Sequence, residues 1–284
     1  LGLPNEDADG VQAGIEFLWL VAHGDLKRLR GKVIVIGGGN TAIDCARSAL
    51  RLGASDVMVA YRRTVDQMPA EEEEITELLE EGITIQELTD IDEILVDDRG
   101  CVQGIRARLQ ELGSFDSSGR RRPQPRGGEQ GEVVLECEHL LTAISQKIEL
   151  DFAPELERHR NGTLKIDPYT LRTSDPQVWG SGDVLSLADL PVAIGHGEEV
   201  AVSIEQALNP GKIAAFPWRE VHSPDVAFDP DRDPVDRPRV QTEYSSIEER
   251  IASFLLVNRG VNWDEAIRKE AERCLRCDYR DVCN

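Results

Sequence analysis

The stretch Lys32-Val-Ile-Val-Ile-Gly37-Gly38-Gly39-Asn40-Thr41-Ala42 decides how this chain folds. Its apolar run Val33–Ile36 predicts a buried parallel strand, and the apolar spacing after the glycines predicts a helix. A strand, a Gly-rich turn and a helix, in this order, form the context that a dinucleotide fingerprint requires. Gly37 permits the tight turn, Gly39 lets a pyrophosphate approach the backbone, and Ala42 lets the helix pack closely on the strand. We therefore expect a pyrophosphate site at the helix N-terminus, formed by Gly37, Gly38, Gly39, Asn40 and Thr41.

The end of the next strand indicates which dinucleotide is bound. Asp56–Tyr61 is a second strand pattern, and Arg62 and Arg63 follow it where an acidic residue would select NAD. A guanidinium group suits a 2′-phosphate, because its fork binds phosphate through two hydrogen bonds. The sequence therefore favours NADP(H), with a solvated arginine pair beyond a strand end as the alternative.

Composition narrows the classes of partner. The 284 residues include 53 acidic and 32 basic side chains, a formal net charge of −21. This balance argues against nucleic acid or an anionic membrane, both of which attract clustered positive charge. No apolar run approaches the roughly 18 residues of a membrane span. We expect a cytoplasmic protein without a signal peptide, and Leu1 in place of a start Met suggests a piece of a longer chain.

The six cysteines fall into two groups. For Cys45, Cys101 and Cys137, burial as small apolar residues is the default expectation. Cys274, Cys277 and Cys283 form a Cys-x2-Cys-x5-Cys array, which suggests an iron–sulfur cluster or a zinc site that lacks its fourth ligand. A tail with free cysteines is the alternative. The pattern is not a disulfide framework, which fits a reducing compartment.

The remaining patterns predict an α/β domain followed by a different region. Residues 27–146 are expected to form a Rossmann-like dinucleotide-binding domain with a β-meander. Within it, Pro69 suits a first helical position and the glutamates after it suit a helix start. The polar, basic stretch 117–128 predicts an exposed loop tip, with docking of an acidic partner as the alternative. Beyond 147 we expect a strand at Thr163–Asp167, a strand ending at Gly182 and a helix at 192–208.

Five segments match, in order, the motifs of a known family. They are Leu1–Asp7, Val35–Ala46, Tyr61–Arg63 with Met68–Glu73, Thr142–Gln146 and Gly182–Val184. On these segments, residues 1 to about 208 resemble the small subunit of NADPH-dependent glutamate synthase and its relatives, members of the two-dinucleotide-fold flavoprotein superfamily. Ser145 departs from the family, which usually has Gly there.

The resemblance implies roles for further residues. The hinge between two nucleotide domains would be lined by Thr142–Gln146, which includes Ala143 and Ile144. Asp183, which follows Gly182, would hydrogen-bond the ribityl chain of FAD. The helix beginning near Gly195 and His196 would point its positive end at the flavin ring. The bland alternative for Gly182-Asp183 is a turn with a capping carboxylate, and we expect His196 to pack rather than donate a proton.

The resemblance also implies a domain organisation. The family's first Gly-rich fingerprint, which clamps FAD, precedes the segment that matches Leu1, so we expect an incomplete FAD site in this chain. The expected order is a connector with part of the FAD-binding domain, the NADP(H)-binding domain, the C-terminal part of the FAD-binding domain, a Pro- and Asp-rich linker and a helical tail with the cysteine array. The corresponding ranges are 1–26, 27–146, 147–210, 211–240 and 241–284.

The implied function is an NADPH-linked flavoprotein oxidoreductase module. Electrons would pass from NADPH through FAD to iron–sulfur centres of an electron-accepting partner, with no acid–base residue assigned and the oligomeric state left open. The alternative is a nucleotide-binding or docking module without turnover of its own. A disulfide reductase ranks below both, because Cys274 and Cys277 lie in a tail beyond the linker rather than near the flavin motifs.

Overall fold

The computed structural model describes residues 2–116, 119–126, 131–144, 148–187, 190–210 and 238–272. The chain divides into two compact units. The first comprises Leu1–Ser145 with Pro238–Glu270, and the second comprises Gln146–Arg237 with Ala271–Asn284.

A five-stranded parallel sheet forms the centre of the first unit, as the Gly-rich motif predicts. Its order is β1-β9-β2-β3-β4. The strands are β1 Val11–Ala13, β2 Lys32–Ile36, β3 Asp56–Ala60, β4 Thr84–Gln86 and β9 His139–Thr142. Strand β2 lies in the middle of the sheet. Its residues Val33–Ile36 are buried, as expected for a parallel strand whose two faces are both covered.

Helices cover one face of this sheet. They are α1 Gly14–His23, α2 Asn40–Arg51 and α3 Glu72–Glu80. Phe17 of α1, Ile43 of α2 and Leu78 of α3 are fully buried and share a core with Val33 and Val35. Helix α3 begins at Glu72 with Glu71 as its N-cap, so the prediction that Pro69 is the first helical residue is wrong by three positions.

An ion-pair network joins the helical layer. The Glu81 side chain is fully buried and contacts two arginines of α2, Arg47 at 2.6 Å and Arg51 at 2.9 Å. Glu77 adds a second carboxylate at 2.8 Å from Arg47. Because these charges are removed from water, each depends on its partners.

An antiparallel meander covers the opposite face, and the expected α/β class with a Rossmann-like sheet and a β-meander is confirmed. Its strands are β5 Thr89–Val96, β6 Val102–Phe115, β7 Arg121–Pro125 and β8 Glu132–Glu136. Ile94 and Ile105 of the meander pack with Ile34 and Ile36 of β2. Strand β7 pairs with the end of β6, so part of the stretch predicted as a loop tip extends the meander.

The N-terminal segment differs from the expected connector at 1–26. Strand β1 pairs in parallel with β9, and the Phe17 side chain of α1 lies in the main core. Parallel pairing with a strand about 130 residues later is not visible in local sequence, and it places this segment in the first unit.

A C-terminal segment returns to the first unit. It contains β10 Glu243–Tyr244, α5 Ile247–Ala252, β11 Asn258–Gly260 and α6 Trp263–Glu272. Arg250 of α5 is 8% exposed and its guanidinium lies 2.8 Å from the Glu80 carboxylate at the end of α3. Residues 238–270 are therefore part of this unit rather than a separate helical tail.

The second unit has a small core and little regular structure among its described residues. Leu150, Ala153, Leu156 and Leu164 form the core. Helix α4 spans Leu190–Leu208. The predicted strands at Thr163–Asp167 and before Gly182 are wrong, since this region shows only isolated bridges, Arg158 with Leu164 and Arg172 with Trp179. Asp167 instead closes a turn, where its carboxylate accepts hydrogen bonds from the Tyr169 and Thr170 amides.

None of the helices described here is both long enough and apolar enough to cross a bilayer.

Candidate dinucleotide site

The turn between β2 and α2 requires glycine at two positions for steric reasons. Gly37 has φ +146°, and a Cβ there would lie 2.4 Å from the Ala143 carbonyl oxygen. A Cβ on Gly38 would lie 2.4 Å from the Tyr61 ring, whose hydroxyl donates to the Gln67 carbonyl. The turn therefore packs so closely on its neighbours that neither position has room for a side chain.

Gly39 is different, because a Cβ there would meet nothing closer than Pro69 Cγ at 3.9 Å. Its φ of −95° is open to any residue, so backbone conformation does not explain the glycine. A Cβ at this position would extend into the open space in front of the turn. This is the geometry of a glycine that lets a ligand approach the backbone.

Four amides of the turn and of the start of α2 are unpaired among the described residues. The N–H groups of Gly38, Gly39, Asn40 and Thr41 have no acceptor in the described part of the chain, while those of Ala42 and Ile43 bind the Gly39 carbonyl. Helix α2 has no acidic residue in its first turn and no side-chain cap. The positive end of the helix is thus not neutralised by its own side chains, which suits a diphosphate.

Asn40 contributes its backbone to this turn while its side chain is used elsewhere. The Asn40 Oδ1 atom accepts a hydrogen bond of 3.0 Å from the Glu71 amide, and the Ala70 amide donates to the Gly38 carbonyl at 3.2 Å. The loop between β3 and α3 is therefore tied along one side of the Gly-rich turn.

The two arginines after β3 have different environments. Arg62 is exposed and forms no ion pair with a residue that the structure describes. Burial raises the pKa of the Asp90 carboxyl, and the positive charge of Arg62 offsets part of that rise. Arg63 is 5% exposed, and its guanidinium donates to Asp116 Oδ2 and to the Arg121 carbonyl, both at 2.9 Å. The structure thus separates two arginines that the sequence pattern presents as one pair.

Ala143 and Ile144 lie next to the turn. The Ala143 amide donates to the Ile36 carbonyl at 2.8 Å, and the Ala143 carbonyl lies against Gly37. Ile144 is 43% exposed. The carboxyl ends of β2, β3 and β9 therefore bring these residues, the Gly-rich turn and Arg62 to one edge of the sheet. Ser145 and Gln146 lie outside the described residues.

The predicted flavin-contacting residues belong to the second unit. Gly182 and Asp183 begin a short 3₁₀ turn, Gly182–Val184, in which Gly182 has φ +68° and the Asp183 side chain is exposed. The Gly182 amide donates to His196 Nδ1 at 3.3 Å. Gly195 and His196 lie in the second turn of α4 rather than at its beginning, so the structure does not place them at the helix N-terminus.

The cysteines divide by environment. Burial raises the pKa of the Cys45 and Cys137 thiols to about 12, as their expected core positions require. Cys101 is only half-buried and its Sγ lies 3.7 Å from Asp9 Oδ2, so the expectation of burial is wrong there. Cys274, Cys277 and Cys283 lie outside the described residues, and within those residues no group of three His, Cys, Asp or Glu side chains could hold a metal.

Sequence reasoning missed three residues that shape this edge of the sheet. Tyr61 packs on Gly38, Pro69 is the nearest neighbour of the Gly39 face, and Asp116 binds Arg63. Tyr61 and Pro69 lie within the family motifs Tyr61–Arg63 and Met68–Glu73, so a signal for them was present. Asp116 carries no local signal, because its partner is 53 residues away in the chain.

The fold and this turn define a dinucleotide-binding α/β protein. Residues 3–207 match the model of the pyridine nucleotide-disulphide oxidoreductase family. The chain belongs to that family, and the predicted resemblance to glutamate synthase small subunits and related flavoproteins is confirmed.

Several relatives each cover most of this chain. NADP(+)-dependent formate dehydrogenase subunit beta of Moorella thermoacetica is 37% identical over 294 residues, covering 99% of this chain and 40% of that protein. Glutamate synthase [NADPH] small chain of Escherichia coli (strain K12) is 33% identical over 227 residues, covering 72% of this chain and 46% of that protein. The chain therefore spans less than half the length of these relatives.

Solved structures share the fold at low identity. Mycobacterium tuberculosis FprA in complex with NADPH gives a TM-score of 0.57 at 17% identity, covering 76% of this chain and 63% of that chain. Thioredoxin reductase of T. acidophilum gives a TM-score of 0.55 at 20% identity, covering 73% and 60%. These similarities support the α/β dinucleotide-binding architecture alone.

Proposed function

We propose that this chain is the NADPH-binding module of a flavoprotein oxidoreductase that passes electrons from NADPH through FAD to the iron–sulfur centres of a partner subunit. The observation that carries the proposal is the row of four amides at the start of α2 that have no acceptor among the described residues, next to a glycine, Gly39, whose Cβ position is open. Such a row binds a diphosphate without any side chain. The names of the formate dehydrogenase and glutamate synthase subunits described above contain NADP or NADPH, which supports the choice of nucleotide.

Each part of the turn would have its own task. The amides of Gly38–Thr41 would bind the diphosphate, and Arg62 would bind the 2′-phosphate at the end of the adjacent strand. Ala143 and Ile144 would line the space beside Gly37. When bound, NADPH supplies a hydride and FAD accepts it and releases electrons singly. The chain itself contributes binding and orientation, and we assign no proton transfer to a side chain.

For FAD, the candidates are Gly182, Asp183, Gly195 and His196. The exposed Asp183 carboxylate suits a ribityl hydroxyl, and a Cβ on Gly195 would meet nothing within 4 Å. Cys274, Cys277 and Cys283 would supply thiolates to an iron–sulfur cluster, and the electron-accepting partner would provide the final site. We also propose a cytoplasmic location, because the cysteine pattern is not a disulfide framework and therefore fits a reducing compartment.

Titration of the purified chain with NADPH and with NADH tests this proposal. Arg62→Ala should weaken NADPH binding about tenfold or more, since it removes a charge-assisted hydrogen bond, and should leave NADH binding nearly unchanged. Arg99→Ala is the matched control, because Arg99 is an exposed arginine in the turn between β5 and β6. Equal losses for both nucleotides in Arg62→Ala would refute the 2′-phosphate assignment.

A second measurement distinguishes the enzyme from a module without turnover. With FAD supplied, the enzyme should bind flavin and oxidise NADPH with an artificial electron acceptor. A chain that binds NADPH but neither retains flavin nor reduces an acceptor would act as a binding module by itself, which agrees with the incomplete FAD site expected from the sequence. The oxidoreductase proposal would fail if a longer protein that contains this chain and a complete FAD site also left NADPH unoxidised.

A further inference from the structure

Helix α4 packs against the turn Gly182–Val184, where a Cβ on Gly182 would lie 3.6 Å from the Ala193 Cβ. No residue of this 19-residue helix is buried in the described structure. A helix in a protein is usually held by a buried apolar face, so α4 depends more than most helices on specific polar contacts. Those contacts decide how the turn and the helix stay together.

Two side-chain hydrogen bonds join α4 to the segment before it. The Gly182 amide donates to His196 Nδ1 at 3.3 Å, and the Trp179 indole N–H donates to Ser203 Oγ at 2.9 Å. His196 and Ser203 are seven residues apart, so they lie on the same face of the helix. This face of α4 therefore holds the approach to the turn at Trp179 and the turn itself at Gly182.

The contact at Gly182 determines the protonation state of the His196 ring. A backbone amide can only donate, so Nδ1 must be the nitrogen without a proton, and the proton of the neutral ring is on Nε2. A charged imidazolium ring carries a proton on both nitrogens and has no acceptor left for the amide. The hydrogen bond to the turn therefore requires the neutral ring.

Charged groups lie around this contact on three elements. Asp183 follows Gly182 in the turn, and Glu199 lies about one helical turn beyond His196 on α4; both side chains are exposed. On the segment before the turn, the Arg172 guanidinium lies 4.9 Å from the centre of the Trp179 ring. The hydrogen bond itself contains a single titratable group, His196, so a variant of His196 that cannot titrate isolates its contribution.

We propose that His196 is a positioning residue for the flavin: its neutral ring holds the Gly182 amide and thereby fixes the turn that carries Asp183. The inference rests on the proposed function, in which this turn contacts the ribityl chain of FAD. Gly182 has φ +68°, one of several conformations open to glycine, so the backbone at this point needs an external constraint. His196 acts through the turn and requires no contact of its own with the flavin.

Exchange of the Gly182 amide with water, measured by NMR on this chain, tests the contact without any flavin. The measured quantity is the protection factor, the ratio of the intrinsic exchange rate to the observed one. It should fall about fivefold in the wild type between pH 8 and pH 5, where histidine ordinarily changes charge, because one hydrogen bond is lost. His196→Asn should keep the protection at both pH values, since Asn Oδ1 occupies the place of Nδ1 and does not titrate.

His196→Ala should lack this protection at both pH values, although alanine favours a helix more than histidine does. His159→Asn is the matched control, because His159 is an exposed histidine of the same unit, and it should behave like the wild type. Equal Gly182 protection in the wild type and in His196→Ala at pH 8 would overturn the proposal. So would a pH-dependent loss that persists in His196→Asn, because another group would then be responsible.

Flavin affinity tests the role of the contact. In a longer protein that contains this chain and a complete FAD site, His196→Ala should weaken FAD binding, followed by flavin fluorescence, about fivefold, and His196→Asn should restore it. Wild-type affinity in His196→Ala, or a loss that His196→Asn does not restore, would overturn the positioning role. Should His196→Ala fail to fold, the pH profile decides: FAD binding should weaken towards pH 5 in the wild type and not in His196→Asn. A wild-type protein that binds no FAD would overturn the proposed function, whereas equal Gly182 protection in the wild type and in His196→Ala would overturn only this inference.

Discussion

Substitution of Gly39 by alanine should separate nucleotide binding from folding. A Cβ at this position would meet no atom closer than 3.9 Å, and φ is −95°, so the folded chain can accept alanine. An alanine N-cap costs about 0.5–1 kcal/mol relative to glycine. The lower entropy of the unfolded chain returns about 0.4–1 kcal/mol. We therefore expect a melting temperature within about 3 °C of the wild-type value.

The same methyl group should greatly weaken NADPH binding. It extends about 1.5 Å into the space where the diphosphate would contact the amides. Loss of two charge-assisted hydrogen bonds, at about 1.5 kcal/mol each or more, amounts to about 3 kcal/mol. This corresponds to a rise in Kd of about 100-fold. Isothermal titration with NADPH measures the rise, and thermal unfolding followed by circular dichroism measures stability.

Two further glycines serve as controls for this experiment. Gly197→Ala in α4 also places a Cβ in open space and should leave NADPH affinity unchanged. Gly37→Ala should destabilise the fold itself, because its Cβ would lie 2.4 Å from a carbonyl oxygen. A Gly39→Ala variant that binds NADPH with wild-type affinity would refute the argument that this turn holds the diphosphate.

Three other predictions concern ionisable groups removed from water. Glu81→Ala should lower the free energy of unfolding by about 3–5 kcal/mol in urea denaturation, because it leaves buried Arg51 unpaired and leaves Arg47 with Glu77 alone; a loss below about 1 kcal/mol would contradict this. Alkylation followed by mass spectrometry at pH 8 should modify Cys101 well before Cys45 and Cys137, since a thiol of pKa about 12 is thiolate in only about one molecule in 10⁴; equal rates would contradict the burial. Burial first, and nearby carboxylates second, raise the pKa of Glu74 above its ordinary 4.5, so its charged form costs stability at neutral pH. Glu74→Gln should therefore unfold at higher urea than wild type at pH 7, with a gain that shrinks as pH falls towards 4.5; a gain independent of pH would contradict the cause.

Local pattern predicted the centre of the site and its supporting elements. The apolar run of β2, the glycines and the apolar spacing of α2 lie next to one another in the chain, so their periodicity is enough to predict strand, turn and helix. The same local signal predicted the meander. It was also enough to place Arg62 at the end of the neighbouring strand.

Long-range pairing decided the features that sequence did not predict. Arg63 is buried because it donates hydrogen bonds to Asp116 and Arg121, and no local sequence pattern at these two positions predicts the contact. The basic, proline-containing segment of β7 has a weak strand pattern, and it is a strand because β6 extends far enough to pair with it. Segment 1–26 joins the main sheet through β9 in the same manner. In each case the deciding contact is made by residues distant in sequence.

Hydrogen exchange at residue resolution tests the central claim most directly. The amides of Gly38, Gly39, Asn40 and Thr41 have no acceptor within the part of the chain that the structure describes, so they should exchange rapidly in the free protein. Saturation with NADP⁺ should slow exchange at these four positions, because the diphosphate would supply the acceptors they lack. Saturating NADP⁺ that leaves all four rates unchanged, while it protects amides elsewhere, would contradict the account.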